Sequence, residues 1–215
     1  MKVAIVDYEM GNLFSLQNAL RAISHNSVLT RSRRDILNAE HVILPGVGSA
    51  DPAMTRLSKY ELADALIERS KRGGLTSGIC LGMQLMATMS AESACQPVKC
   101  LNLIPASVNL IAGASSRAEG IRLPSIGWYK TDIFVQAGKS SNTWMDRFHR
   151  QRFYYIHSYH MSVSNQNHLF GSYDYSHLKI TSVVGSGPNM AVQFHPEKSG
   201  ATGLEFLSCL INRKA

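Results

Sequence analysis

Short, nearly unbroken apolar runs that alternate with helical spacing leave a chain of this kind few folds to choose from. Residues 2–7 form such a run around Val3, Ala4, Ile5 and Val6. A strand with no polar face must be covered on both sides, which is the mark of a parallel sheet flanked by helices. Gly11-Asn12 ends the run, and Leu13, Leu16, Leu20 and Ile23 then recur at helical spacing. Residues 27–30 and 41–44 read as two further strands, the second stopped by Pro45-Gly46. Residues 54–72 carry helical material with a break near Tyr60, closed by Gly73-Gly74. A short strand at 75–79 and a helix at 83–89 follow.

This alternation predicts an α/β fold with a central, mainly parallel sheet. The second half reads differently. Residues 108–111, 129–135, 153–158, 168–173, 180–184 and 191–194 look like shorter strands joined by polar turns, part of them antiparallel. Residues 204–211 make a closing helix, and 115–119 and 136–142 are the expected mobile loops. No linker divides the chain, so one domain is expected over residues 1–215.

The chain has 215 residues, enough to bury on the order of 70% of its unfolded surface without staples. Its formal net charge is +7, but the basic residues are dispersed and are not interleaved with aromatics. That pattern reads as solvated faces rather than a nucleic-acid module, with an acidic protein face as the next reading. The N-terminus has no signal-peptide pattern, and no run of about 18 apolar residues exists for a membrane span. A cytoplasmic, reduced protein follows, so Cys80, Cys95, Cys100 and Cys209 are expected to be free. The spacing of Cys95 and Cys100 lacks a second ligand pair, so no metal site is predicted.

The chemistry is concentrated in Gly78-Ile79-Cys80-Leu81-Gly82. A strand enters this segment and a helix leaves it, the arrangement of a nucleophile elbow. The free N–H groups of the helix start favour a thiolate and can hold an oxyanion. Taken alone, the segment is also compatible with a core cysteine in a glycine-flanked bend. A thiolate needs a base, and His195 ends an apolar run and is followed by Pro196-Glu197. Residues two apart in extended chain face the same way, so Glu197 can orient the imidazole. By themselves they would read as a strand-end histidine and an exposed glutamate. Pro45-Gly46-Val47-Gly48 lies at the end of a predicted parallel strand, where its N–H groups can serve a ligand. A plain turn or a phosphate loop are the other readings, although no Gly-Lys-Ser/Thr follows.

Gly78-Ile-Cys-Leu-Gly-Met-Gln84 together with His195-Pro-Glu-Lys-Ser199 resembles the class I (triad) glutamine amidotransferases. Within that family the chain is most similar to the glutaminase subunits of imidazole glycerol phosphate synthases. Asp7, Gly11-Asn12-Leu13, Gly127-Trp128 and Tyr155-Ile-His-Ser-Tyr159 occur in the same order. The resemblance spans nearly the whole chain and implies a flavodoxin-like amidotransferase fold. It implies a Cys80–His195–Glu197 triad that hydrolyses glutamine to glutamate and ammonia through a thioester, with no cofactor. Val47, Gly48 and Leu81 would form the oxyanion hole. Gln84, Glu92, His157, Ser158 and Tyr159 match glutamine-holding positions. The implied partner is a cyclase subunit with a (β/α)8 barrel. In a heterodimer with it, ammonia would be used to make imidazole glycerol phosphate in histidine biosynthesis. Asn12, Trp128 and Lys198 match positions near that partner.

The chain departs from the family pattern in places. Ser125 and Tyr129 flank Gly127-Trp128 where histidine and asparagine are usual, and Ser77 precedes Gly78 where a small hydrophobe is usual. These changes suggest another function, ammonia supply to a divergent synthase amidating a nucleotide-sugar or surface-polysaccharide precursor; an inactive scaffold subunit is a second alternative, against which the retention of Cys80, His195, Glu197 and Gln84 argues. An independent cysteine amidase is a third, and would need no partner. His25, His41, His149 and His177 form no ligand-spaced cluster, and Trp144, Met145 and Phe148 read as a satellite apolar cluster.

Overall fold

The computed structural model describes residues 3–93, 95–111, 120–134 and 140–214. The loop expected at 115–119 lies outside the described residues, as does most of that at 136–142. The first half runs β1 (Val3–Val6), α1 (Leu13–Ala22), β2 (Ser27–Thr30), α2 (Arg33–Asn38), β3 (His41–Leu44), α3 (Ala50–Lys59), α4 (Leu62–Lys71), β4 (Thr76–Ile79) and α5 (Leu81–Leu85). The second half runs β5 (Met89–Ser90), β6 (Val98–Lys99), β7 (Ala106–Leu110), β8 (Ser125–Ile133), β9 (Arg152–His157), β10 (Tyr159–Val163), β11 (Leu169–Tyr175), β12 (Leu178–Ser186), β13 (Asn189–Val192) and α6 (Gly200–Asn212).

Nine strands form one sheet in the order β2-β1-β3-β4-β13-β12-β11-β8-β9. From β2 to β13 every pairing is parallel. From β13 to β9 every pairing is antiparallel. A smaller sheet, β10-β7-β5-β6, packs beside it. The fully apolar β1 is buried on both faces: Val3 and Ile5 enter the core on the α1 and α6 side, Ala4 and Val6 that on the α3 and α4 side.

Local differences from the sequence reading have physical causes. The helix after Cys80 begins at Leu81 and stops at Leu85. The carbonyls of Leu85, Met86 and Ala87 instead accept N–H groups of residues 101–104, which takes them out of the helical ladder. Met89 consequently lies in β5. The short α2 buries only Ile36 and so carries little periodicity; its signal is the Ser32 cap, which accepts the Asp35 N–H. The break near Tyr60 is a left-handed Glu61 between α3 and α4. Trp144, Met145 and Phe148 are not a satellite: Trp144 packs 5.3 Å from Phe206, within the main core.

Ser77 acquires a structural reason. Arg213, buried at the chain's end, donates to Ser77 Oγ at 2.9 Å and to the carbonyls of Thr76, Pro188 and Leu210. His41 Nε2 lies 2.9 Å from the same hydroxyl. A small apolar side chain at Ser77 would leave part of this buried knot unpaired.

Candidate active site

Cys80 stands between the end of β4 and the start of α5 at φ 54° and ψ −112°. A side chain disfavours that region, so the turn is held from outside. The Cys80 N–H donates to the Val192 carbonyl of β13 at 2.8 Å. Gly82 lets α5 pass against β3, because a Cβ there would fall on the Leu44 carbonyl oxygen. Gly46 does the same for the facing loop, where a Cβ would meet the Tyr8 hydroxyl. Tyr8 itself was not anticipated. Burial, and then the neighbouring Cys80, push its hydroxyl pKa up, so it stays protonated and donates to the Pro45 carbonyl at 2.8 Å.

His195 follows the end of β13, the strand adjacent to β4, so the sheet itself sets the cysteine beside the histidine. The His195 N–H donates to the Tyr154 carbonyl, and Ser199 Oγ bridges the His195 carbonyl and the Tyr154 N–H. Glu197 reaches His195 Nδ1 at 2.7 Å. The route differs from the extended geometry expected: Pro196–Lys198 is a 3-10 turn that folds the carboxylate back onto the ring. Burial lowers the imidazole pKa, but the neighbouring Cys80 sulfur and Glu197 carboxylate outweigh it and raise the pKa. His195 Nε2 is buried and makes no complete hydrogen bond among the described residues.

A cavity of about 230 Å³ opens over the sulfur. Cys80, His195, Val47, Gly48, Leu81, Gln84, Glu92, His157, Ser158, Tyr159 and Lys198 all line it. Glu197 and Asn12 line an adjoining recess behind His195 and Val47. Trp128 lies apart, exposed on β8. The N–H groups of Val47 and Gly48 donate to nothing among the described residues. Glu92 accepts the Ala50 N–H at 3.0 Å, and burial raises its pKa against that bond.

The ring of His157 is fully engaged. Its Nδ1 lies 2.8 Å from the Tyr159 carbonyl, which can only accept, so Nδ1 carries the proton. Nε2 then accepts from the Tyr173 hydroxyl at 2.8 Å. Burial lowers the His157 pKa to about 4, and the ring is neutral near pH 7. What this segment offers a ligand is its backbone together with Ser158 and Tyr159. Ser125 lies 3.1 Å from the Tyr173 hydroxyl, so the changed residue on β8 joins a buried chain ending at the cavity wall.

The class-I glutamine amidotransferase family model matches residues 4–209. The chain belongs to that family. Among curated relatives, the imidazole glycerol phosphate synthase subunit HisH of Prochlorococcus marinus subsp. pastoris is 34% identical over 96% of this chain and 95% of that protein. The chloroplastic imidazole glycerol phosphate synthase hisHF of Arabidopsis thaliana is 37% identical over 99% of this chain, but over only 34% of its own length. Among solved structures, a glutamine amidotransferase superposes with a TM-score of 0.72 at 15% identity, covering 97% of each chain. PurLQS from Thermotoga maritima gives 0.70 at 17% identity, over 98% of this chain and 97% of its own. At such identities these likenesses concern the fold, and they match the sheet described above.

Proposed function

We propose that the chain is the glutaminase subunit of an imidazole glycerol phosphate synthase of histidine biosynthesis, a single amidotransferase domain that releases ammonia for a cyclase partner. The observation that carries the reading is one cavity holding a strained cysteine and a buried histidine on adjacent strand ends, the histidine bound to a carboxylate at 2.7 Å.

Cys80 attacks the side-chain amide carbon of glutamine, its proton passing to His195. The N–H groups of Leu81 and of the Val47–Gly48 loop receive the oxyanion, each donor contributing about a hundredfold or more. The tetrahedral species collapses as His195 returns the proton to the departing nitrogen, leaving ammonia and a Cys80 thioester. His195 then takes a proton from water, hydroxide adds to the thioester, and collapse frees glutamate and the Cys80 sulfur. Glu197 keeps the imidazole oriented and stabilises its charged form. The Glu92 carboxylate suits the ammonium group of glutamine.

The partner belongs on the β8–β9 face. Ile126 pairs across from Ile156 and Trp128 from Tyr154, and the two isoleucines and Trp128 are exposed. The Arabidopsis relative supports a partner, since its matching part occupies a third of a longer protein. The partner we propose is a separate (β/α)8 barrel subunit forming a heterodimer, contacted by Asn12, Trp128 and Lys198.

The deciding experiment is glutamate release from glutamine by the chain alone and with a cognate cyclase plus its nucleotide substrate, beside Cys80→Ala. Strong stimulation, lost in the variant, is the expected result. A silent pair with both subunits folded would overturn the histidine assignment, and high activity of the lone chain would overturn dependence on a partner.

A further inference from the structure

One buried polar side chain at the nucleophile has no role in the chemistry just described. Gln193 is fully buried between β13 and His195. Gln193 stands just past the end of β13, two residues before His195, and its side chain reaches the same sulfur that His195 serves. Gln193 Nε2 lies 3.8 Å from Cys80 Sγ, and its Oε1 lies 3.0 Å from Gln84 Nε2.

Amide orientation is ordinarily ambiguous, but here the neighbours fix it. The Tyr159 carbonyl can only accept, so the Gln84 group 2.8 Å from it is the NH₂. The same NH₂ meets Gln193, so the atom facing it must be the Gln193 oxygen. The Gln193 NH₂ is thereby left facing the sulfur. An N–H aimed at sulfur in a buried site favours the anion over the thiol, because the anion is much the better acceptor. The Cys80 thiol also meets the Ile156 carbonyl at 3.9 Å, which can accept from a thiol but gives a thiolate nothing.

We propose that Gln193 is a further catalytic residue, an N–H donor that holds the Cys80 thiolate and is locked in its donor orientation by Gln84. The proposal rests on the reading of Cys80 as the nucleophile. The same N–H serves twice: it supports the thiolate before attack, and again when hydrolysis of the thioester expels it. No bond is made or broken at Gln193.

Gln193→Glu is the sharp variant. It keeps the volume and the acceptor for Gln84, and replaces the donor at the sulfur with a carboxylate oxygen. Alkylation of Cys80 by iodoacetamide, followed by mass spectrometry of its peptide in the purified chain, reads the sulfur directly. The exposed Cys95 serves as an internal reference. At pH 7.5 Cys80 alkylation is expected to slow about tenfold or more, with its rate profile moved to higher pH and Cys95 unchanged. In the complex with the cyclase, kcat is expected to fall about a hundredfold while KM for glutamine changes little. Gln193→Met, which fills the space without either polar atom, is expected to slow alkylation less but in the same direction, and decides the matter if the Glu variant does not fold. An unchanged Cys80 profile in a folded Glu variant, or in the Met variant where that one fails to fold, overturns the proposal. Cys80→Ser separates the two readings: glutamate release surviving in it sinks the nucleophile assignment, whereas its loss beside unaltered Gln193 variants sinks only the role of Gln193.

Discussion

Cys80 occupies a backbone conformation that costs on the order of 1–3 kcal/mol and is kept because the surroundings over-determine it. The Val192 carbonyl holds its N–H, and the tight approach at Gly82 leaves the turn no slack. Such strain presents the sulfur at the cavity floor with little freedom to turn away. His195 is matched to it from the next strand, its imidazolium favoured by Glu197. Glu197→Gln is therefore expected to lower kcat by about a thousandfold while KM stays near the parent value, because the amide orients the ring without stabilising its charge. Steady-state glutaminase kinetics in the stimulated complex would check this, and a loss below tenfold would contradict the role. Much of this site was legible in the chain. Cys80 between glycines and His195 before Pro196-Glu197 are local patterns. Tyr8 was not, and Gln193 stood beside the histidine motif without a role, because their importance lies in contacts made between distant segments, to Pro45 and to Cys80.

At the scale of elements, β9 joins the outer face to the chemistry. Its residues alternate between exposed and buried, so Tyr154 and Ile156 meet the surface while Phe153, Tyr155 and His157 enter the core. Trp128 contacts Tyr154 edge-on at 6.0 Å, and the Tyr154 backbone holds both His195 and Ser199. A partner pressing on Trp128 thus meets a strand that already carries the base. Trp128→Ala is expected to weaken partner binding by about 2 kcal/mol, close to thirtyfold, and to leave unstimulated glutaminase activity unaltered. Titration of the cyclase against the variant by calorimetry measures it; undiminished affinity would place the interface elsewhere. The sequence located β9 well because period-two burial is strong there. It started β8 too late, at 129, because Ser125-Ile126-Gly127-Trp128 has one glycine and one polar residue where a strand signal would need apolar ones. It also ran a helix to 89, where the chain after Leu85 exchanges helical hydrogen bonds for tertiary ones.

For the whole molecule, ionisation sets opposite limits on stability. His157 and His41 are buried with depressed pKa values, His157 at about 4, in both cases chiefly through burial. In the window between about 4 and the unfolded value near 6.5, the unfolded chain binds a proton that His157 does not, and His41 acts in the same direction, so stability falls as pH falls. His157 alone contributes on the order of 3 kcal/mol to this loss. His195 has the opposite sign: its raised pKa contributes stability that is complete below about 6.5 and is lost as pH rises through the folded value. Urea unfolding between pH 4.5 and 7 is expected to show the acid loss, and His157→Gln to flatten it. A parallel decline in parent and variant would remove His157 from the account. The alternation of strand and helix that predicts the parallel half is local in sequence. The antiparallel half was less legible, because β8 and β9 reach their places through pairings that no short window of residues records.

The pairing of β4 with β13 sets Thr76 beside Asn189 and Ile79 beside Val192. The elbow cysteine comes well before its neighbouring strand and its base in the chain, so a nascent chain exposes the thiol before β13 and His195 exist to complete the site. A product cut short between them carries the nucleophile without its base, and so spares glutamine.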